Sequence, residues 1–229
     1  MCVGFRIFTK INRPEKELIE AFKGLPAANV ADVMSRFFCV NSAIKSFNNK
    51  PLLGTAFTVR ARIGDNLLLH KAIAMAQPGD VIIVDGDGDI SNAFCGDIMM
   101  TECQYLGIAG VIIDGAVRDK ADLEKLDMPV YARGVMPKGP FKDGPGEINV
   151  PISCGGVVVN PGDIVIGDAD GVVIVPPKQA KEIAAKAWKK HETEAASLEQ
   201  IANGRRDKSW VDKALEAKGC EIIDDYYRA

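Results

Sequence analysis

With 229 residues, 47% of them apolar and 26% charged, the chain is sized and composed for one soluble globular domain with an ample core. A formal net charge of −3 argues against nucleic-acid binding as the main function, because phosphate contacts need clustered Lys and Arg. No apolar run reaches the roughly 18 residues that a membrane span needs, so neither nucleic acid nor membrane is an expected partner. The six cysteines (Cys2, Cys39, Cys95, Cys103, Cys154 and Cys220) are scattered without a C-x-x-C pair. Together with a leader that lacks a signal-peptide apolar core, they imply reduced thiols in a cytoplasmic protein.

Residues 1–13 mix apolar and basic side chains and end at Pro14. Helical spacing from Glu15 to Phe22 predicts an amphipathic helix. In the stretch Leu25–Met34, which resembles the helix start of a family named below, Asn29 can cap, and Asp32 reads as first-turn capping, with support of a site or an interface as the alternative. Thr and Val interleaved with Ala and Gly predict a strand over Leu53–Arg62. Gly64-Asp65-Asn66 then turns the chain into a helix over Leu67–Ala76. His70 on that helix has no His or Cys partner nearby and reads as structural or surface, as does His191, so nothing supports a His-dependent hydrolase.

Pro78-Gly79-Asp80 leads into a strand over Val81–Val84. The acidic run after it, Asp85-Gly86-Asp87-Gly88-Asp89, fails as an EF-hand loop, with Ile90 where the sharp-turn Gly belongs and Gly96 where the bidentate Glu belongs. It also fails as a dinucleotide fingerprint, because Ser91 replaces the third Gly and the acids would repel a pyrophosphate. What remains is a loop at the carboxyl end of a strand, where α/β proteins place their sites. It delivers the chain to Gly96-Asp97.

From Gly96 to Asp122 the sequence predicts a helix, a tight turn and the buried strand Val111-Ile112-Ile113, closed by Asp114-Gly115. Arg118-Asp119 follows, with Asp122 one helical turn on. Leu123–Leu126 finish a short helix, and Pro129–Ala132 is strand-like. Arg133–Asn149, rich in Gly, Pro and Lys, reads as an ordered functional or interface loop in which Lys138 and Lys142 read as solvated, with contact to a substrate carboxylate or a neighbouring subunit as the alternative. Val150–Val175 supplies three short β runs. Pro176-Pro177 opens a long helix from Lys178 to about Ala202, stopped by Gly204, and the tail 207–229 carries no assigned role. With no repeat or linker, the expectation is one α/β domain over 1–229 with a C-terminal helix and tail.

A helix followed by a returning strand brings its two ends together, so Asp97, Arg118, Asp119 and Asp122 would share a small volume. Three carboxylates around one point repel unless a cation sits among them, and an all-oxygen donor set favours Mg²⁺ or Mn²⁺ over zinc. Arg118 would add the planar fork that binds a carboxylate in bidentate fashion. A metal beside such an Arg suits a 2-oxo acid substrate. The alternative is a solvated ion-pair group at a helix start.

The spacing Asp97, twenty residues, Arg118-Asp119, two residues, Asp122 resembles the D-x20-R-D-x2-E/D signature of the RraA-like superfamily. Gly64-Asp65-Asn66, Pro78–Val81, Pro137–Pro140, Asn160–Asp163 and Gly167–Val172 resemble it too, over roughly residues 18–205. That superfamily contains the class II 4-hydroxy-4-methyl-2-oxoglutarate/4-carboxy-4-hydroxy-2-oxoadipate aldolases and the RraA regulators of RNase E. The resemblance implies a swivelling β/β/α fold assembled as a homotrimer or homohexamer. It implies Mg²⁺ or Mn²⁺ bound directly by Asp119 and through waters by Asp97 and Asp122. Arg118 would hold the substrate carboxylate with the backbone amides of Ile98 and Met99, where the family often has Leu-Leu, and Glu194 would reach a neighbouring subunit's site. The implied activity is metal-dependent cleavage of a 4-hydroxy-2-oxo diacid to pyruvate, with oxaloacetate decarboxylation at the same centre and no Schiff base from Lys120. A non-catalytic regulator of RNase E is the alternative. A methyltransferase finds no support, since no Gly-rich cofactor loop of the required form is present.

Overall fold

The computed structural model describes residues 3–227, so Cys2 lies outside the described residues. The chain divides into two compact units, one reaching to Trp188 and one beginning at Lys189. The first unit starts with β1 (Phe5–Ile7), α1 (Lys16–Glu20), α2 (Ala27–Val33) and β2 (Lys45–Ser46). Strands β3 (Leu52–Ala61), β4 (Asp80–Asp85) and β5 (Gly110–Val117) then alternate with α3 (Leu67–Ile73) and α4 (Asp97–Tyr105). After α5 (Lys120–Leu123) come β6 (Val130–Val135), β7 (Gly146–Ile148), β8 (Ile152–Cys154), β9 (Val157–Val159), β10 (Ile164–Asp168) and β11 (Gly171–Val175). Helices α6 (Ala180–Ala202) and α7 (Ser209–Ala217) complete the described elements.

The centre of the fold is a parallel run, β3-β4-β5-β6, each step bridged by a helical crossover as parallel pairing requires. The ten-residue β3 is long enough to serve two partners on its other edge. It pairs antiparallel with β10 along Leu52–Thr55 and with β7 along Val59–Ala61. β11 extends the sheet from β10, β1 from β7 and β2 from β6.

Both faces of the central strands are covered, which is why they read as unbroken apolar runs. Ile82, Val84, Val111 and Ile113 pack with Leu69, Ile73, Met100 and Cys103 of α3 and α4. Val81, Ile83 and Ile112 face the β8–β9 hairpin through Ile152, Val157 and Val159. Val30 of α2 and Ile183 and Ala187 of α6 close over β10 and β11. No helix among the described residues is long and apolar enough to cross a membrane.

Several local expectations are corrected. The strand after α4 does not close at Asp114-Gly115 but runs to Val117. Asp114 pairs with Arg133 and accepts the Gly155 amide, while Gly115 lies where a Cβ would come within 2.6 Å of the Phe94 ring. A register shift between Ile113 and Ala116 takes up the irregularity. Asn29 does not cap α2, because the helix already starts at Ala27 and Asn29 is buried inside it. The cap comes from far along the chain, with Asp168 Oδ2 accepting the Ala27 amide at 2.9 Å.

The stretch 133–149 is not one loop, since it holds the end of β6 and all of β7. Four strands, not three, fill 150–175. The first helix is shorter than its spacing predicts and spans only Lys16–Glu20. A 3-10 turn at Pro177–Gln179 precedes α6, with the prolines at its start, where a missing amide costs no helical bond. Gly204, at φ +64°, ends α6 as expected.

Candidate active site

The carboxyl end of β5 and the amino end of α4 meet because the segment before α4 runs beside the last residues of β5. Ala93 bridges Ala116, the Phe94 amide donates to Ala116 O at 2.8 Å, and the Arg118 amide donates to Cys95 O at 2.9 Å. This ladder sets Gly96 and Asp97 against Arg118 and Asp119.

Asp119 sits in the left-handed region (φ +60°, ψ 39°) at the start of α5. That conformation costs most non-glycine residues about 1 kcal/mol or more, and Asp is among the few that visit it readily. Its Oδ2 accepts the Asp97 amide at 3.1 Å and lies 3.4 Å from Arg118 Nε. The space for that carboxylate is made by Gly96, where a Cβ would fall 2.1 Å from Asp119 Oδ2 and 2.9 Å from Arg118 Cγ. The backbone of Gly96 is extended, φ −147°, so glycine is needed for room and not for an unusual torsion.

The first turn of α4 is already anion-facing. Besides the bond from the Asp97 amide, the Ile98 amide donates to Asp97 Oδ1 at 2.8 Å, as the positive end of a helix favours. For the Ile98 amide to hold a substrate carboxylate, Asp97 must release it. The Ile98 side chain is exposed while Met99 is buried, its sulfur 3.5 Å from Asn66 Nδ2.

Arg118 is half-exposed. A glycine loop passes over its guanidinium, for a Cβ at Gly139 would lie 3.2 Å from Arg118 Nη1. That loop is tied down by the Ala93 amide, which donates to Lys138 O at 2.8 Å, and by Asn92 Nδ2, which donates to Gly139 O at 2.7 Å. Asp97, Arg118 and Asp119 are therefore brought together, whereas Asp122 is exposed and paired with Lys125 at 2.8 Å. Glu194 pairs with Lys190 at 3.0 Å in the second unit. Sequence reading missed Asn92 and Gly139 as parts of the site, and the only signal was the Pro137-Lys138-Gly139-Pro140 run.

Among the described residues no three His, Cys, Asp or Glu side chains form a metal cluster. An ion caged directly by three carboxylates does not fit. One open carboxylate, Asp119, with Asp97 beside it, fits a Mg²⁺-like ion that keeps most of its waters. Cys95 and Cys103 are buried, and desolvation pushes the Cys95 thiol far above its ordinary value and Cys103 up to about 12. Both are packing residues, since the thiolate is the nucleophile.

The RraA-like family model, Aldolase/RraA, matches residues 27–174. The chain belongs to the RraA-like family. Its matched span contains Asp97, Arg118, Asp119 and Asp122 and ends before α6 begins. A protein of Halalkalibacterium halodurans, provisionally named a 4-hydroxy-4-methyl-2-oxoglutarate aldolase, is 39% identical to this RraA-like chain over 194 residues, covering 84% of the chain and 92% of that protein. The structure of the RNA-processing inhibitor RraA from Thermus thermophilis is 31% identical, with a TM-score of 0.61, over 66% of this chain and 92% of that one. An unusual member of the RNase ES inhibitor RraA family from Streptomyces coelicolor is 26% identical, with a TM-score of 0.73, over 82% of this chain and 100% of that one. The α/β architecture expected from the sequence is thus that of RraA-family structures.

Proposed function

We propose that this RraA-like protein is a metal-dependent lyase that cleaves 4-hydroxy-4-methyl-2-oxoglutarate, or a related 4-hydroxy-2-oxo diacid, to pyruvate, and that decarboxylates oxaloacetate at the same centre. The observation that carries the reading is the contact of Asp119 with the Asp97 amide and the Arg118 guanidinium, in a space that only a glycine at position 96 leaves open. Support also comes from the aldolase name of the relative that shares 39% of its residues.

Mg²⁺ or Mn²⁺, held by Asp119 and through waters by Asp97 and Asp122, would supply the positive charge that draws electrons toward the substrate's 2-oxo group. Arg118 binds the substrate's C1 carboxylate with its planar fork, and the first amides of α4 complete that grip. Asp97 orients the water that takes the proton from the 4-hydroxyl. The bond beyond C3 then breaks, C4 leaves as a carbonyl, the electron pair passes toward the 2-oxo group, and the proton returned to C3 completes pyruvate. In the same reading the protein assembles as a homotrimer or homohexamer, with Glu194 serving a neighbouring copy.

The test is pyruvate release from 4-hydroxy-4-methyl-2-oxoglutarate and from oxaloacetate, each with Mg²⁺, Mn²⁺ and EDTA. Release from both that EDTA abolishes is the expected result. The second reading, a regulator of an RNase E-type nuclease, is favoured by the likeness to the Thermus and Streptomyces inhibitors. It takes precedence if neither substrate yields pyruvate and the protein slows RNase E turnover.

A further inference from the structure

The guanidinium of Arg118 has little of its own to hold it. Among the described residues its ion pair is Nε to Asp119 Oδ2 at 3.4 Å, and the side chain is half-exposed. A long, flexible side chain that must present a planar fork to a substrate loses affinity when its rotamers are free. The wall that restricts it is backbone, the Lys138-Gly139 peptide, close enough that a Cβ at Gly139 would sit 3.2 Å from Nη1.

That peptide is held by two consecutive residues. The Ala93 amide takes Lys138 O, and the Asn92 side chain takes Gly139 O at 2.7 Å. Asn92 is 4% exposed, and Gly64, itself at φ +67°, packs so that a Cβ there would fall 3.2 Å from Asn92 Cβ and Cγ. Its rotamer is therefore boxed in. The far side of the loop is anchored separately. Asp65 Oδ2 accepts the Asp143 and Gly144 amides, and Phe141 exchanges backbone bonds with Gly64 and Asn66. Among the described residues Asn92 thus ties the loop by its side chain to the strand-like segment entering the site, at the residue whose added Cβ would meet Arg118. An amide is required there, because it must donate to a carbonyl, and a carboxylate would repel both that carbonyl and an anionic substrate.

We infer that Asn92 is a positioning residue, which fixes the Arg118 guanidinium through the backbone of Gly139. The inference rests on the proposed role of Arg118 as the carboxylate grip. The probe is oxalate, a planar dianion with the shape of the pyruvate enolate, titrated calorimetrically at constant Mg²⁺ into the full-length protein, Asn92→Ala, Gly139→Ala, Arg118→Lys and the Asn92→Ala/Arg118→Lys pair.

Asn92→Ala should weaken oxalate binding about tenfold, as expected for a half-buried carbonyl that loses its donor and a loosened grip. Gly139→Ala, which keeps the Asn92 bond but pushes on Nη1, should weaken it in the same direction. In the Arg118→Lys background the added loss from Asn92→Ala should shrink to less than about threefold, because coupled residues are not additive. Undiminished binding in Asn92→Ala, or the same factor in both backgrounds, overturns the inference and leaves the site reading standing. Wild-type affinity in Arg118→Lys, or no oxalate binding by the unaltered protein, removes the site reading and the inference with it. An unfolded Asn92→Ala, seen as lost ellipticity, passes the decision to Asn92→Asp, which keeps the shape and removes the donor, and whose wild-type affinity would overturn the inference.

Discussion

A hydrogen atom is all that fits on the face of Gly96 toward Asp119, since a Cβ would stand 2.1 Å from Oδ2. The carboxylate can move aside only by giving up contacts, because its backbone sits in the left-handed region and its oxygen accepts the Asp97 amide. Gly96→Ala should therefore displace Asp119 by most of an ångström and lower kcat/KM by about a hundredfold, the scale that such misplacements reach. Circular dichroism should show the fold retained, and an active Gly96→Ala protein would mean that Asp119 does not need this position.

The carboxylates of Asp119 and Asp122 separate in the same way. Asp119→Asn, which keeps shape and tolerates φ +60°, should abolish Mg²⁺-dependent pyruvate release. Asp122→Asn, exposed and facing Lys125, should cost far less. Equal losses in the two variants would refute the assignment of Asp119 as the direct ligand.

At the scale of elements, the way the structure seats α2 shows what local sequence leaves out. Its cap is Asp168, 141 residues away along the chain. Asn29 looked suited to that task by type and spacing, but it lies inside the helix because Pro26 already sets the chain's entry. Asp168→Ala should lower stability by about 1 kcal/mol, the usual worth of an N-cap. That corresponds to a Tm drop of about 2–4 °C in a chain of this size, measured by thermal unfolding. Unchanged Tm would show that the Ala27 amide finds another acceptor without cost. The same variant should keep its pyruvate release, since α2 contributes no residue to the site.

The elements that the sequence made legible are those whose burial is set by their own composition. β4 and β5 are apolar on both faces, and α4 and the start of α6 carry their own periodicity. β1 and β7 are three residues each and exist because Phe5–Ile7 meets Gly146–Ile148 in parallel register, a pairing with no local pattern to announce it. The extension of β5 past Asp114-Gly115 was hidden for the opposite reason. An Asp-Gly pair reads as a turn, but pairing of Asp114 with Asp85 of β4, its bonds to Arg133 and the Gly155 amide, and the Phe94 ring over Gly115 hold it extended.

On the scale of the whole molecule the site was legible where residue type, spacing and family signature agreed. Asp97, Arg118 and Asp119 meet because one crossover returns beside its own start. The supporting backbone was not legible. Asn92 acts on Gly139 across 47 residues, and no chemistry-bearing pattern links them. The buried Asp65 carboxylate, accepting three amides from Leu67, Asp143 and Gly144, belongs to the same unannounced scaffold.

Large apolar side chains stand exposed in the segments that border this site, among them Ile90 at 51%, Ile98 at 75% and Phe141 at 55%. Single exposed apolar residues are ordinary, but several gathered on segments around one site mark a surface that another chain covers. Closed cyclic assembly is the usual way for one chain to cover its own patch. For the proposed trimer or hexamer, light scattering is expected to report three or six chains per particle. Because subunit contacts shift with concentration, dilution that releases single chains should lower pyruvate release per chain over the same range. A single-chain mass at every concentration, with constant activity per chain, would show that one copy is sufficient for the site and that the exposed apolar groups are simply surface.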